Sequence, residues 1–268
     1  MNTTRQGAAV SARGIGVRGP RGWAFRGVDI TADAGALIAV QGPSGSGRTC
    51  LLLALTGRMR ITEGTATVAG FPLPKRIGTV RGRTAVAHVP GVAELEPALT
   101  VGEHLKEQAL LGRRLKGSLP FGKRHREATR ARITAALAAA GLDPETLPKG
   151  LRTTVRDLER LEALRLSIAL AVMHAPHLLA VDDVDLKLSA AERDLAWDLL
   201  RDLTRQGLTV VAAGSDAPAD ALVVRTTQTG TRADSPDDTP AGPPAPVPDD
   251  THTPEEEAAH AFAETGRA

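Results

Sequence analysis

The chain has 268 residues, of which 42% are hydrophobic and 24% are charged, and its formal net charge is +2. This length allows one sizeable domain, or a core domain with a smaller lobe inserted in it. A single cysteine, Cys50, excludes an internal disulfide and any cysteine-based zinc site. No segment approaches the roughly 18 uninterrupted apolar residues of a membrane span, so a membrane role would act through a partner.

Both ends of the chain have the composition of unfolded segments. Residues 1–10 are polar and lack periodicity, and the start of the chain has no apolar stretch of the kind found in secretion signals. Residues 231–268 hold nine acidic residues, two arginines and a cluster of prolines. We therefore expect a cytoplasmic protein with a disordered N-terminus at 1–10, one folded unit at 11–226 and a disordered, Pro-rich acidic tail at 227–268.

Within the folded unit, short apolar runs rich in Val and Ile alternate with longer helical patterns, which predicts an α/β fold. The predicted strands are short and buried, and they lie at 36–40, near 65–69, near 84–89, at 178–181 and at 208–213. Helices are predicted from Cys50 onward and near 190–205. The stretch from 101 to about 170 is helical with loops at 117–120 and 141–150, which indicates an inserted helical lobe.

A glycine-rich loop separates the first of these strands from the helix that follows it. The loop reads Gly42-Pro43-Ser44-Gly45-Ser46-Gly47-Arg48-Thr49, with Cys50 next. Its glycines allow turns that aim backbone N–H groups inward, and the helix N-terminus adds its dipole, so the segment is suited to phosphate oxygens. The sequence predicts that residues 42–50 bind a nucleotide, with the Thr49 hydroxyl presented to Mg²⁺.

Arg48 stands where this pattern has lysine. Its guanidinium is a wide planar fork, whereas a lysine ammonium is a compact point charge, so Arg48 is expected to crowd the β- and γ-phosphates. Cys50 stands where a second hydroxyl would help to bind phosphate. Both changes predict weakened affinity for ATP.

Two carboxylates, Asp182 and Asp183, end the apolar strand at 178–181. The ends of strands are where such sites gather in α/β folds. Asp182 can hold the magnesium shell, and Asp183 can polarise an attacking water; the alternative is a pair of acids that caps the next turn.

The order of these motifs resembles the nucleotide-binding domain of ATP-binding cassette (ABC) transporters. The phosphate loop at 42–47 matches that family letter for letter, 99–105 resembles the entry to its helical lobe, and 169–176 resembles the helix before its second aspartate motif. The resemblance covers 11–226. It implies a P-loop NTPase core of the ABC type with a helical subdomain at about 92–168, which binds ATP and Mg²⁺.

Several positions that the resemblance would make functional are changed in this chain. The family's magnesium-sensing glutamine falls at Gly91, its catalytic glutamate at Asp183 and its switch histidine at Ser215. Its dimer-contact aspartate falls at Ser189. Its LSGGQ signature falls at 158–162, where Glu159 and Glu162 are expected to repel phosphate, and Arg160 and Leu161 to fill space that glycine leaves open. No aromatic residue lies at 17–22 to stack on adenine, unless Trp23 takes that place.

The resemblance therefore implies an ATP-binding subunit that lies at the inner face of the cell membrane, couples Mg-ATP to a membrane permease and hydrolyses ATP slowly. Such subunits pair as homodimers or heterodimers. The alternative is a non-hydrolysing regulatory or scaffold protein that acts through partners. Nucleic acid is not an expected partner, because the basic stretch at 106–132 has only Phe121 as an aromatic and reads as a solvated helix face.

Overall fold

The structure is a computed structural model that describes residues 7–114 and 123–227, and these residues form nine strands and six α-helices. The strands are β1 (Val10–Gly19), β2 (Gly22–Ala32), β3 (Leu37–Gln41), β4 (Glu63–Val68), β5 (Phe71–Leu73), β6 (Thr84–Ala87), β7 (Leu178–Val181), β8 (Thr209–Ala213) and β9 (Leu222–Arg225). The helices are α1 (Arg48–Leu55), α2 (Ile77–Arg81), α3 (Val101–Arg114), α4 (Lys123–Ala139), α5 (Arg160–Val172) and α6 (Ala190–Arg205).

The strands form two sheets of different type. The first is antiparallel, with the order β2-β1-β4-β5, and the second is parallel, with the order β6-β7-β8-β3-β9. The central strands of the parallel sheet are buried on both faces, which explains why they read as continuous apolar runs in the sequence. The carboxyl ends of β3, β6, β7 and β8 consequently meet at one edge of this sheet.

Alternate residues of the parallel strands face two separate cores. Val40 and Ala180 pack with α1 and the antiparallel sheet, whereas Ala39 and Val181 pack with α3, α5 and α6. The sheet is therefore covered on both sides, which is the arrangement that parallel sheets require. No helix in the described ranges, 7–114 and 123–227, is long and apolar enough to cross a membrane.

The predicted α/β class is confirmed, and each predicted strand has a counterpart in the parallel or antiparallel sheet. The structure differs at the N-terminus, because residues 7–10 are part of the fold. Ala8 is buried and its backbone N–H donates to Thr209 Oγ1 at 2.9 Å, which ties this segment to β8. Residues 1–6, 115–122 and 228–268, which include Phe121 and almost all of the predicted tail, lie outside the described residues.

Candidate nucleotide site

The glycine-rich loop runs from the end of β3 into the first turn of α1. Gly45 and Gly47 have φ angles of 79° and 84°, a left-handed conformation that glycine adopts without strain. A Cβ on Gly47 would also collide with the carbonyl oxygen of Ala24 in β2. Gly47 is the N-cap of α1 and makes no side-chain hydrogen bond. The first backbone N–H groups of the helix therefore have no capping side chain and can donate to an anion.

The buried side chain of Ser46 attaches the loop to the end of the parallel sheet. This residue is 1% exposed, and its Oγ lies 2.7 Å from Thr226 Oγ1, just past the end of β9. Thr226 N–H donates to Gln41 O at 2.8 Å. Ser46 therefore anchors the loop, whereas the Ser44 side chain at its tip is exposed.

Thr49 and Asp182 meet between α1 and β7. Thr49 Oγ1 donates to Asp182 Oδ2 at 2.5 Å, although the two residues are far apart in sequence. Burial raises the pKa of the Asp182 carboxyl, and the charge of Asp183 adds to the rise, while the Thr49 hydrogen bond opposes it. Burial also raises the pKa of the neighbouring Cys50 thiol, so Cys50 contributes a neutral group at this position.

Arg48 is directed toward Asp183. Arg48 Nη2 lies 3.4 Å from Asp183 Oδ1, and the two side chains are only 19% and 29% exposed. Asp183 itself has a φ of 44°, a conformation that is costly for a residue with a Cβ. The guanidinium that was expected beside the phosphates is therefore paired with the carboxylate that was expected to polarise water.

The structure places His88, which the sequence pattern did not single out, at the same edge of the parallel sheet as these carboxylates. His88 follows β6 directly, and Asp182 N–H donates to Ala87 O at 3.3 Å, so His88 lies beside the end of β7. Gly91, by contrast, lies in an exposed turn and donates to Glu94 Oε1. Gly91 supplies no side chain, and the absence of a metal-reaching side chain at this position stays a prediction. Alignment by sequence order missed His88 because the turn after β6 is not regular.

Burial lowers the pKa of the His88 imidazole, Asp183 and Asp182 raise it in opposition, and Arg160 adds to the lowering. His88 and Arg160 share a small cavity with Asp183. His88 follows β6, Asp183 follows β7 and Arg160 begins α5, so the cavity lies at the ends of these three elements.

The segment at 158–162 forms the start of α5. Glu159 is the N-cap, and its backbone N–H donates to Glu162 Oε2 at 2.8 Å, so two carboxylates lie at this helix N-terminus. The predicted negative charge is present there. Leu161 does not fill surface space, however, because it is only 8% exposed and packs in the core.

The loops that follow β7 and β8 are joined by Asp185. Its Oδ2 accepts from Ser215 N at 2.6 Å and from Ser215 Oγ at 2.5 Å. Ser189 caps α6, with its Oγ accepting from Glu192 N and donating to Glu192 Oε2. Ser215 and Ser189 therefore make structural hydrogen bonds within the chain.

Trp23 lies in β2, where Arg18 and Arg26 approach its ring at 5.7 and 4.7 Å from the centroid. The ring is thus already engaged with cations from the same chain. The structure brings Trp23 close to Gly16 of the adjacent strand rather than into a described pocket.

The oxygen donors at Thr49 and Asp182 fit a hard cation such as Mg²⁺. Within 7–114 and 123–227, no three or more His, Cys, Asp or Glu residues are grouped to hold a metal ion by themselves. A cation here therefore needs further ligands from phosphate oxygens or water, which is the usual way in which magnesium accompanies a nucleotide.

Comparison with known proteins identifies the family. Residues 25–185 match the ABC transporter family model, and this range contains the glycine-rich loop, His88, α5, Asp182 and Asp183. The chain belongs to the ABC transporter family. Its fold is accordingly that of an ABC-type P-loop NTPase, as the resemblance in the sequence implied.

Curated relatives include two proteins named Nod factor export ATP-binding protein I. The one from Burkholderia lata is 30% identical over 185 residues, covering 69% of this chain and 55% of that protein. The one from Rhizobium meliloti strain 1021 is 30% identical over 187 residues, covering 70% and 51%. The chain thus spans about half the length of these relatives.

Solved structures agree on the fold. The dimeric bacterial ABC transporter cassette MJ0796 superposes with a TM-score of 0.64 at 20% identity, covering 81% of this chain and 94% of that one. CbiO1 from Clostridium perfringens, part of the complex cbiONQ, gives a TM-score of 0.63 at 19% identity, covering 77% and 78%. ATP-binding domains of this family bind ATP, generally with Mg²⁺, and work as dimers with membrane permeases.

Proposed function

We propose that this chain is the ATP-binding subunit of an ABC-type transporter, which binds Mg-ATP, couples it to a membrane permease and hydrolyses it slowly. The observation that carries the proposal is the contact of Thr49 with Asp182 at 2.5 Å, directly below a loop whose backbone is suited to phosphate. In this proposal residues 42–50 surround the phosphates. Thr49 and Asp182 would hold the cation, which would neutralise negative charge on the phosphates.

Slow hydrolysis follows from what Asp183 and Ser215 do in the structure. Asp183 is one methylene shorter than the family's glutamate and pairs with Arg48, so its carboxylate is poorly available to a water. Ser215 is bound to Asp185 and offers no imidazole for the γ-phosphate. The two features lower the expected rate without removing the phosphate loop.

A groove of about 730 Å³ between α3, α5 and the segment 78–86 supports a permease partner. Its lining includes Arg81, Arg83, Glu94 and Glu107, none of which forms an ion pair within the described ranges. A short helix with charges at both ends would fit such a groove. Docking there would place the chain at the cytoplasmic face of the membrane, and the names of the curated relatives favour export.

A second cassette is part of the proposal. The N-terminus of α5 carries Glu159 and Glu162. In a homodimer these carboxylates would repel the triphosphate bound to the other copy of the chain. We therefore favour a heterodimer in which a different cassette closes over the nucleotide of this chain.

A non-hydrolysing scaffold protein is the second candidate function. The ion pair between Arg48 and Asp183 favours it, because it engages the two residues that this site would need for phosphate and water. Both candidates share nucleotide binding, and they differ in turnover.

Calorimetry with Mg-ATP tests nucleotide binding. Wild-type protein is expected to bind, and Thr49→Ala should lose the magnesium-dependent part of the affinity while Thr65→Ala, an exposed control on β4, should not. Absence of heat at millimolar nucleotide would refute the nucleotide site.

A phosphate-release assay separates the two candidates. We expect turnover barely above background from the isolated chain. A rate that disappears in Asp183→Asn would establish an ATPase, whereas an equal residual signal in both proteins would support the scaffold.

A further inference from the structure

His88 and Asp183 are alike in their place at the sheet edge and in their backbone conformation. They follow adjacent parallel strands, since Ala87 pairs with Val181, and both have left-handed backbones, with φ angles of 55° and 44°. Residues with a Cβ adopt this conformation at a cost and persist in it where the surrounding structure imposes it, often at functional sites. His88 is held there by its backbone N–H, which donates to Ser167 Oγ of α5 at 2.7 Å.

The two residues line one cavity of about 30 Å³, together with Arg160 at the first position of α5. The remaining wall is apolar and includes Leu164 and Val184. The cavity opens to solvent at the exposed Arg160, and its volume suits a single water with polar partners among His88, Arg160 and Asp183. In the part of the chain that the structure describes, neither the His88 imidazole nor the Arg160 guanidinium makes a direct hydrogen bond. Both donors are therefore available to the cavity.

Asp183 already has a partner that does not line this cavity. Arg48 of the phosphate loop lies 3.4 Å away, and the phosphates of a bound nucleotide would attract the same guanidinium. Binding of a nucleotide would therefore leave the Asp183 carboxylate without its cation. A partly buried carboxylate needs another donor at that moment, because an unpaired buried charge is costly.

We propose that this cavity is a second seat for the Asp183 carboxylate, in which His88 and Arg160 hold the carboxylate through the one water that the cavity accommodates, once a nucleotide has drawn Arg48 onto its phosphates. His88 and Arg160 are thus positioning residues that act through Asp183. The inference rests on the proposed function, since it requires that a nucleotide binds the loop.

A double-mutant cycle on nucleotide affinity tests the seat without relying on turnover. Calorimetry with the non-hydrolysed analogue Mg-AMP-PNP compares wild type, His88→Ala, Asp183→Asn and the double variant. His88→Ala should weaken binding about fivefold, because Asp183 then stays on Arg48. In the Asp183→Asn background the same substitution should change Kd by less than about twofold, because the carboxylate that His88 serves is gone.

Three further variants make the result specific. Arg160→Ala should behave like His88→Ala, and Arg156→Ala, an exposed arginine in the turn before α5, should not change affinity in either background. His88→Asn keeps a residue that tolerates the left-handed backbone but is too short to span the cavity, so it should also weaken binding. His88→Asn therefore keeps the test valid if His88→Ala fails to fold.

An equal loss in both backgrounds would show that His88 is merely structural and would overturn the second seat. Unchanged affinity in His88→Ala and His88→Asn would overturn it as well. If wild type itself does not bind the analogue, the proposed nucleotide site fails and the inference fails with it. If the wild type binds the analogue but the cycle shows no coupling between His88 and Asp183, only the second seat is refuted and the nucleotide site stands.

Discussion

Asp182 is 1% exposed, and its raised pKa has a consequence for stability. The folded state binds this proton more tightly than the unfolded chain does. Stability therefore falls as the pH rises from the unfolded pKa through the raised folded pKa, and the charged form lowers stability at neutral pH. Asp182, which is proposed to hold the cation, therefore lowers the stability of the folded protein when no cation is bound.

Asp182→Asn should raise the Tm of the nucleotide-free protein at pH 7, by about 2–4 °C for each kcal/mol of stability regained. The difference from wild type should disappear in acid, where Asp182 is protonated in both states. Scanning calorimetry across pH measures it, with Asp33→Asn in an exposed loop as the control. A Tm that falls at pH 7 would contradict the electrostatic explanation.

Arg48 makes a second prediction at this scale. Arg48→Lys should tighten Mg-ATP binding about three- to tenfold, because an ammonium fits between phosphate oxygens and gives up the fork that reaches Asp183. Calorimetry measures the change, and Arg60→Lys at an exposed position is the matched control. Weaker binding in Arg48→Lys would mean that the guanidinium already fits the phosphates.

The sequence was sufficient to find the site residues that belong to a continuous pattern. Thr49 and Asp182 follow buried strands in a recognisable order, and the structure brings them together; their roles in binding remain predictions. His88 could not be found in this way, because its importance depends on a left-handed turn after β6 that shifts the chain relative to its neighbours. Likewise, the pairing of Arg48 with Asp183 depends on a side-chain direction that composition does not specify.

At the scale of elements, α5 begins with a capping arrangement rather than an open N-terminus. Glu162→Ala should lower the free energy of unfolding by about 0.5–1.5 kcal/mol, because the Glu159 N–H loses its acceptor and the first turn loses a negative charge. Urea unfolding measures it. Glu162→Gln should retain most of the stability, and Glu127→Ala on the exposed side of α4 should have little effect. Equal stability of all three would show that the cap is not stabilising.

The predicted elements were those with a clear apolar period. All residues of β7 and β8 are buried, so their apolar runs gave limits close to those observed, and α6 matches the helix predicted near 190–205. β1 and β2 were not predicted, because glycines and arginines interrupt their alternation and register shifts occur between them. β9 was missed since Leu222 and Val223 are partly exposed at a sheet edge and follow a polar loop.

At the scale of the whole molecule, the carboxylates at α5 predict how copies of the chain behave. Wild-type protein should remain monomeric in Mg-ATP, because a facing copy would bring Glu159 and Glu162 toward each triphosphate. Size-exclusion chromatography with light scattering measures the mass. Glu159→Ser with Glu162→Gln keeps capping groups at the helix but removes both charges, and should increase the dimer fraction. A nucleotide-dependent homodimer of wild type would contradict the preference for a heterodimer.

The hydrogen bond between Ser46 and Thr226 joins the floor of the phosphate loop to the point where the chain leaves the last described strand. Thr226 N–H also donates to the carbonyl oxygen of Gln41, the last residue of β3 before the loop. A displacement of the chain at Thr227 would therefore reach the phosphate loop through the neighbouring Thr226 and its hydrogen bond with Ser46. A protein that binds the segment after Thr227 would therefore be able to shift the phosphate loop through this hydrogen bond.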